Sequence, residues 1–295
     1  MQPSRASRPQ RPQRRWPRRI AMIALVAIAG VVAFLAGDWL RLSPREADER
    51  RIAFERTERS WRAGLGLTLP GALDLADLQN RLAEHNLTEG APVLIRIFKR
   101  EFELELWLAR EGAFHHFATY PICTWSGRLG PKLKTGDAQS PEGFYTVTRD
   151  ALNPNSRWHR SFNLGFPNAY DRAHGRTGSF LMVHGGCASV GCFAMTDRQI
   201  DEIWKLINAA YDKGQTHIQV QAYPFRMTSE RLAGYQDHPD AAFWRDLRKG
   251  NDVFEATRLP PQVNVCKGRY VFAPGAAFAQ GGPILERCPQ ASARN

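Results

Sequence analysis

The hydrophobic and polar positions change period several times along this 295-residue chain. Residues 20–37 carry no charge and no proline, so the run has no polar face. At about 1.5 Å per residue it reaches about 27 Å, enough to cross a hydrocarbon core, and it predicts a transmembrane helix. Ser43, Pro44 and Glu46 then mark a helix start: a cap, a first-turn proline and an acid three residues after the cap. That helix is expected to run to about Arg62, rich in Arg and Glu with scattered Ile52, Phe54 and Trp61. It reads as a stalk or, alternatively, as a helix packed on the domain. A second helix is expected over 74–84, with Leu75, Leu78 and Leu82 on one face.

From Pro92 the period falls to two. Val93, Ile95 and Ile97 alternate with Leu94, Arg96 and Phe98. After a short turn, Leu104, Leu106 and Leu108 alternate with Glu103, Glu105 and Trp107, which predicts a β-hairpin. Further strands are expected over 114–120, 143–148, 162–166, 180–184 and 217–223, with Gly and Pro clusters between them. Many short strands broken by turns predict a mainly β domain, a sandwich or barrel, with flanking α-helices. One helix interrupts the strands. Thr196 and Gln199 form a capping box, Ile200, Ile203, Trp204, Ile207 and Tyr211 trace an apolar stripe, and Gly214 ends it. After Tyr223 the pattern is helical and polar to Lys249. A strand pair follows near Val263 and Tyr270, and a disordered tail is expected after Pro274. The resulting division is an Arg-rich tail (1–19), an anchor (20–37), a helical stalk (38–87), a catalytic domain (88–223), a helical appendage (224–273) and a tail (274–295).

A net charge of +11 first suggests an anionic partner such as nucleic acid. Its distribution removes that reading. Seven charges come from Arg5, Arg8, Arg11, Arg14, Arg15, Arg18 and Arg19, and no acid precedes Asp38, which leaves an ordinary +4 for the rest. Basic residues before the apolar span hold the N-terminus in the cytoplasm and send the remainder outward. The rival reading is a cleaved signal peptide, against which Phe34 occupies the −3 position for cleavage after Ala36. The five cysteines are Cys123, Cys187, Cys192, Cys266 and Cys288, and an odd number leaves at least one thiol unpaired. Cys266 and Cys288 are close enough in sequence to form a bridge, or are two free thiols in a loose tail.

The chemistry concentrates between His184 and Met195. Three glycines, His184, Cys187, Ser189 and Cys192 fall between an expected strand and the capped helix. A strand-to-helix corner exposes side chains and backbone N–H groups. A thiol there is expected to feel the helix dipole and an imidazole, both of which lower its pKa, with nearby N–H groups as an oxyanion hole. Two other readings stand beside this one: His184, Cys187 and Cys192 as zinc ligands, and a Cys187–Cys192 disulfide.

His184-Gly185 followed by Ser189-x-Gly191-Cys192 resembles the signature of YkuD-type L,D-transpeptidases, and the short His-to-Cys spacing is similar to the YafK-like branch. Three further stretches carry that resemblance, 130–137, 140–145 and 165–175. It implies a β-rich fold and a thiolate attack on the carbonyl at the L-centre of diaminopimelate in peptidoglycan stem peptides. By position Cys192 is the nucleophile, His184 the general base, and Gly185, Ser189 and Gly191 shape the loop. Val190 and Ala194 stand where many members carry His and Arg. Lys132, Lys134, Arg172 and Arg176 are therefore candidates to hold a substrate carboxylate, and Tyr170 and His174 to line the cleft. No cofactor or metal is expected. The partners expected are stem peptides, outer-membrane proteins linked to peptidoglycan, and the inner membrane through a single N-terminal span, with the domain in the periplasm. A catalytically silent wall-binding tether is the alternative.

Overall fold

The computed structural model describes residues 20–30, 43–275 and 282–288. The chain divides into two compact units, Met1–Asp48 and Glu49–Asn295. In the first, residues 20–30 are helical (α1). Among the described residues no helix is long and apolar enough to cross a membrane. That finding overturns the expected single-pass inner-membrane localisation. The basic tail, residues 31–37 of the expected span and the rival cleavage site at Phe34 and Ala36 lie outside the described residues.

Helix α2 (Pro44–Gly64) begins where its cap predicts. The Ser43 N–H donates to Glu46 at 2.9 Å, and the Glu46 N–H donates back to Ser43 Oγ at 3.3 Å. The stalk expected over 38–87 is docked on the domain along the later part of α2. Ile52 is 5% exposed within the core, Arg59 donates to the Ile122 carbonyl, and the Arg56 guanidinium lies 4.5 Å over the Trp125 ring. Helix α3 (Leu78–Glu84) starts four residues later than its apolar spacing predicts, because Asp77 caps it by accepting from the Asn80 N–H.

The strands form three sheets. The first has the order β3-β2-β1-β10-β5, from Ala113–Pro121, Glu103–Arg110, Val93–Phe98, Ile218–Tyr223 and Gly143–Val147. The second has the order β4-β9-β8-β7-β6, from Thr124–Trp125, Phe193–Ala194, Met182–His184, His159–Asn163 and Leu152–Ser156. A small third sheet joins β12 (Arg269–Ala273), β11 (Gln262–Cys266) and β13 (Leu285–Glu286). Within the otherwise antiparallel sheets, β1 pairs β10, β8 pairs β9 and β11 pairs β13 in parallel, so all three are mixed. The predicted hairpin is β1–β2, in register from Val93 opposite Leu108 to Phe98 opposite Glu103. The tail expected to be disordered after Pro274 contributes β13 and a Cys266–Cys288 disulfide; residues 276–281 and 289–295 lie outside the described residues.

Residues of both large sheets, among them Ile95, Leu106, Val220, Phe162, Val183 and Phe193, share one buried cluster. Alternation in β1 predicts a half-exposed strand, yet all six residues are buried. Helix α7 (Ala241–Thr257) covers its second face. Phe254 packs with Leu94, and Arg96 donates to Asn251 and Glu255 at 2.7 and 2.9 Å. Helix α5 (Asp197–Asp212) links the second sheet to the first, with Ile200, Ile203, Trp204, Ile207 and Tyr211 buried as the stripe predicts. Each such side chain contributes about 1.5–3 kcal/mol on burial.

Candidate active site

The loop between β8 and β9 is short and tied at both ends. The Met195 N–H donates to the His184 carbonyl at 2.7 Å, and the Cys187 N–H donates to the Met195 carbonyl at 3.1 Å. Asp197, in the first turn of α5, accepts from the Gly186 N–H at 2.8 Å. A Cβ on Gly185 would stand 2.6 Å from Asp197 Oδ1 and 3.0 Å from the His159 side chain, so a larger residue would displace the Asp197 carboxylate. Gly191 has φ +99°, a backbone conformation that disfavours any side chain there.

Cys187 is bonded to Cys123, and Cys192 is the free thiol among the described residues. Neither a Cys187–Cys192 bridge nor a His184, Cys187 and Cys192 metal set can form while that bond stands. The register explains how His184 and Cys192 come together. Val183 is level with Phe193 and His184 with Ala194 in the parallel pair. One step back, Cys192 is level with Met182, whose N–H points at Sγ at 3.4 Å. Side chains alternate along a strand, so Met182 and His184 share a face, opposite the buried Val183 and Phe193. Cys192 therefore stands one strand over from His184 and two residues along it.

His184 is 4% exposed, and its Nδ1 lies 2.6 Å from the Gly185 carbonyl. A carbonyl only accepts, so Nδ1 carries the proton and Nε2 keeps its lone pair. Burial lowers the His184 pKa, against the upward pull of that hydrogen bond, and the ring is neutral at pH 7. The thiol departs from expectation. Burial pushes its pKa up, while the Met182 N–H and the Lys132 charge pull it down without prevailing. A capping box of Thr196 and Gln199 closes the start of α5, and the Asp197 carboxylate, which accepts from the Gly186 N–H, adds a negative charge to its first turn. The Cys192 N–H is also spent. It donates to Ser189 Oγ at 2.9 Å.

Three hydroxyls hold the Cys192 loop. Ser189 Oγ donates to the Cys192 carbonyl at 2.7 Å and lies 3.1 Å from Ser126 Oγ. Ser140 Oγ donates to the same carbonyl at 2.8 Å. Phe180, 70% exposed and at φ +56°, turns its carbonyl toward Sγ at 3.7 Å. Trp158 packs 6.2 Å from the His184 ring. Ser140 opens the 140–145 stretch that carries the resemblance but is assigned no role by it, and no motif or spacing marks Ser126, Trp158 or Phe180. A groove of about 490 Å³ flanks the loop at Gly186 and Cys187, walled by Leu67, Leu69, Leu73 and Arg198, but neither His184 nor Cys192 lines it.

The candidate substrate residues separate into two sets. Lys132 is buried, donates to the Lys134 carbonyl, pairs with Asp137 and acts electrostatically on Cys192. Lys134 is exposed on the same loop, which Asp137 organises by accepting from the Leu133, Lys134 and Gln139 N–H groups. Tyr170, by contrast, is 4% exposed and stacked between His174 and Tyr270, at 4.1 and 4.2 Å. His174 bonds back to the Tyr170 carbonyl and Arg172 to the Pro167 carbonyl. Arg176 pairs with buried Asp171 at 2.8 Å. This second set makes no contact with His184 or Cys192.

The model of the YkuD family, the L,D-transpeptidase catalytic domain, matches residues 94–245. Two relatives, both called "Putative L,D-transpeptidase YafK", come from Escherichia coli strains K12 and O157:H7. Each is 49% identical over 182 residues, covering 62% of this chain and 74% of the relative. Among solved structures, the helical cell shape determining protein Pgp2 of Campylobacter jejuni is 18% identical with a TM-score of 0.38. The match covers 52% of this chain and 58% of Pgp2. Bd1075 of Bdellovibrio bacteriovorus is 21% identical with a TM-score of 0.32, covering 56% of this chain and 62% of its own.

Proposed function

The chain belongs to the L,D-transpeptidase catalytic domain family, and from that premise we propose that it is a cysteine acyl-transfer enzyme of peptidoglycan. Cys192 attacks the carbonyl at the L-centre of diaminopimelate in a stem peptide. The S–C bond forms, the C–N bond breaks, and the thiol proton passes through His184 Nε2 to the leaving amine. An amine or water then attacks the thioester and restores the thiol. With an amine the outcome is a cross-link or a protein link; with water it is release of a protein joined to peptidoglycan.

The observation that carries this reading is the placing of the free thiol, just before β9, one strand over from a neutral, oriented imidazole at the end of the parallel strand β8. The raised thiol pKa shapes the mechanism. The resting residue is a thiol, so proton transfer to His184 accompanies attack instead of preceding it. Because His184 is depressed below its ordinary value, it stays competent as a base under mildly acidic conditions.

The test is incubation with purified sacculi, with and without bound protein, followed by intact-protein mass spectrometry. A stem-peptide adduct on Cys192, together with cross-linked or released products, is the expected result. Sacculi and bound protein left unchanged, with no adduct, would sink the proposal.

A further inference from the structure

We infer that the buried pair Lys99 and Glu142, with Trp244 of α7, positions Cys192 for reaction through the Ser140 hydroxyl. The inference rests on Cys192 being the nucleophile. None of these four residues touches Sγ, so they are positioning residues.

Lys99 is fully buried, just past the end of β1. Its ammonium donates to the carbonyls of Arg128 at 2.9 Å, Gly130 at 2.9 Å and Ser140 at 3.1 Å, and to Glu142 Oε1 at 2.8 Å. It therefore gathers both limbs of the segment 128–142 onto one charge. Glu142 is anchored in turn: Oε1 also accepts from the Gly130 N–H at 2.7 Å, and Oε2 accepts from Trp244 Nε1 at 2.8 Å. The segment so held delivers Ser140, whose Oγ accepts from the Ser126 N–H at 2.9 Å and donates to the Cys192 carbonyl at 2.8 Å. Ser126 lies beside Ser189, the other donor to that carbonyl. The same segment carries Lys132, whose charge acts on the thiol.

Stability does not account for this arrangement. A buried ion pair pays two desolvation penalties, and well-packed apolar residues of equal volume are often as stable. Gln139 Nε2 donates to the same three carbonyls, at 2.6, 2.7 and 3.3 Å, but only the Glu142 carboxylate takes the Gly130 N–H and the Trp244 indole N–H, which an apolar pair could not hold in fixed directions. The hub fixes the Cys192 backbone, and with it the distance from Sγ to the Met182 N–H and to Lys132. It also joins α7, outside the predicted catalytic domain, to the nucleophile.

The experiment is the pH dependence of Cys192 alkylation by iodoacetamide in the full chain with both disulfides intact, alongside thermal melting. Ser140→Ala and Glu142→Gln should each slow alkylation at neutral pH roughly fivefold, the worth of one hydrogen bond, and move the midpoint upward. Trp244→Phe should shift it in the same direction by less, and Ser140→Thr should restore the wild-type profile. A lowered melting temperature with an unchanged profile in Ser140→Ala and Trp244→Phe would reduce the network to a structural role and overturn the inference. If Glu142→Gln does not fold, those two milder variants decide. The assay contains no peptidoglycan, so a wrong substrate assignment leaves its outcome untouched.

Discussion

Two glycine-flanked polar loops, residues 165–176 and 184–192, look alike in sequence and end in different places. Both carry histidine and sit next to an expected strand. In the later loop the polar atoms converge on one residue: two hydroxyls on the Cys192 carbonyl, one accepting its N–H, and a backbone N–H aimed at its sulfur. In the earlier loop they are spent on the loop's own turns and on neighbouring strands, with Asn168 donating to the Phe144 carbonyl at 2.7 Å and Asp171 accepting from the Tyr145 hydroxyl at 3.3 Å. Asn168 and Asp171 cap α4 (Ala169–Ala173), Asp171 takes Arg176, and Tyr170 disappears into an aromatic stack with His174 and Tyr270. Residue types therefore nominate a site, but the destination of their hydrogen bonds decides whether one exists. The loop that leaves a thiol free, yet holds its backbone, is the one proposed to react.

The sharpest break between the loops is expected from isosteric single-atom changes. Cys192→Ser should abolish turnover on sacculi, because a hydroxyl is far less ionised than a thiol and a far weaker nucleophile. Tyr170→Phe removes one oxygen from the other loop and should leave turnover near wild type. If the serine variant turned over normally, the comparison would collapse.

His184→Ala comes next. Loss of a positioned base should slow thioester formation by roughly 10²–10⁴-fold while the fold survives. A thioester formed at the wild-type rate would remove His184 from the mechanism. The earlier loop should answer in stability instead. Asp171→Asn breaks a buried ion pair, Asp171 being 1% exposed and Arg176 8%. It should cost about 3 kcal/mol, read as a lower thermal midpoint, without altering Cys192 alkylation. A slowed alkylation with no loss of stability would show that the two loops are coupled.

What the sequence disclosed follows the same division. The hairpin β1–β2 and the stripe of α5 were legible because each is a local period seated against one core face. The burial of Leu94 and Arg96 was not, because it depends on α7, about 150 residues later in the chain. β4 and β9, two residues each, carry no period at all, yet they place Cys192 beside His184. The loop motif named His184 and Cys192 as candidates. It could not name Ser140, which reaches the Cys192 carbonyl across 52 residues, or tell which thiol stays free, which depends on Cys123 lying 64 residues before Cys187. Spacing along a chain reports neighbours within one element; contacts made by sheet pairing leave no such trace.

The smallest expected effect separates the two cationic sets nominated as substrate ligands. Lys132 and Arg172 each lie in a polar loop, but only the Lys132 charge reaches the thiol. A cation favours the thiolate, so Lys132→Met should raise the pH midpoint of Cys192 alkylation and slow the reaction at neutral pH, by a shift of under about one unit. Removing Lys132 also strands Asp137, whose negative charge would push in the same direction. The double variant Lys132→Met with Asp137→Asn isolates the loss of the cation and should retain part of the shift. Arg172 is exposed and satisfied by the Pro167 carbonyl, so Arg172→Met should leave the alkylation profile where it is. If Arg172→Met moved the midpoint as far as Lys132→Met, long-range charge alone would govern the thiol, and the proximity of Lys132 would have no special part in it.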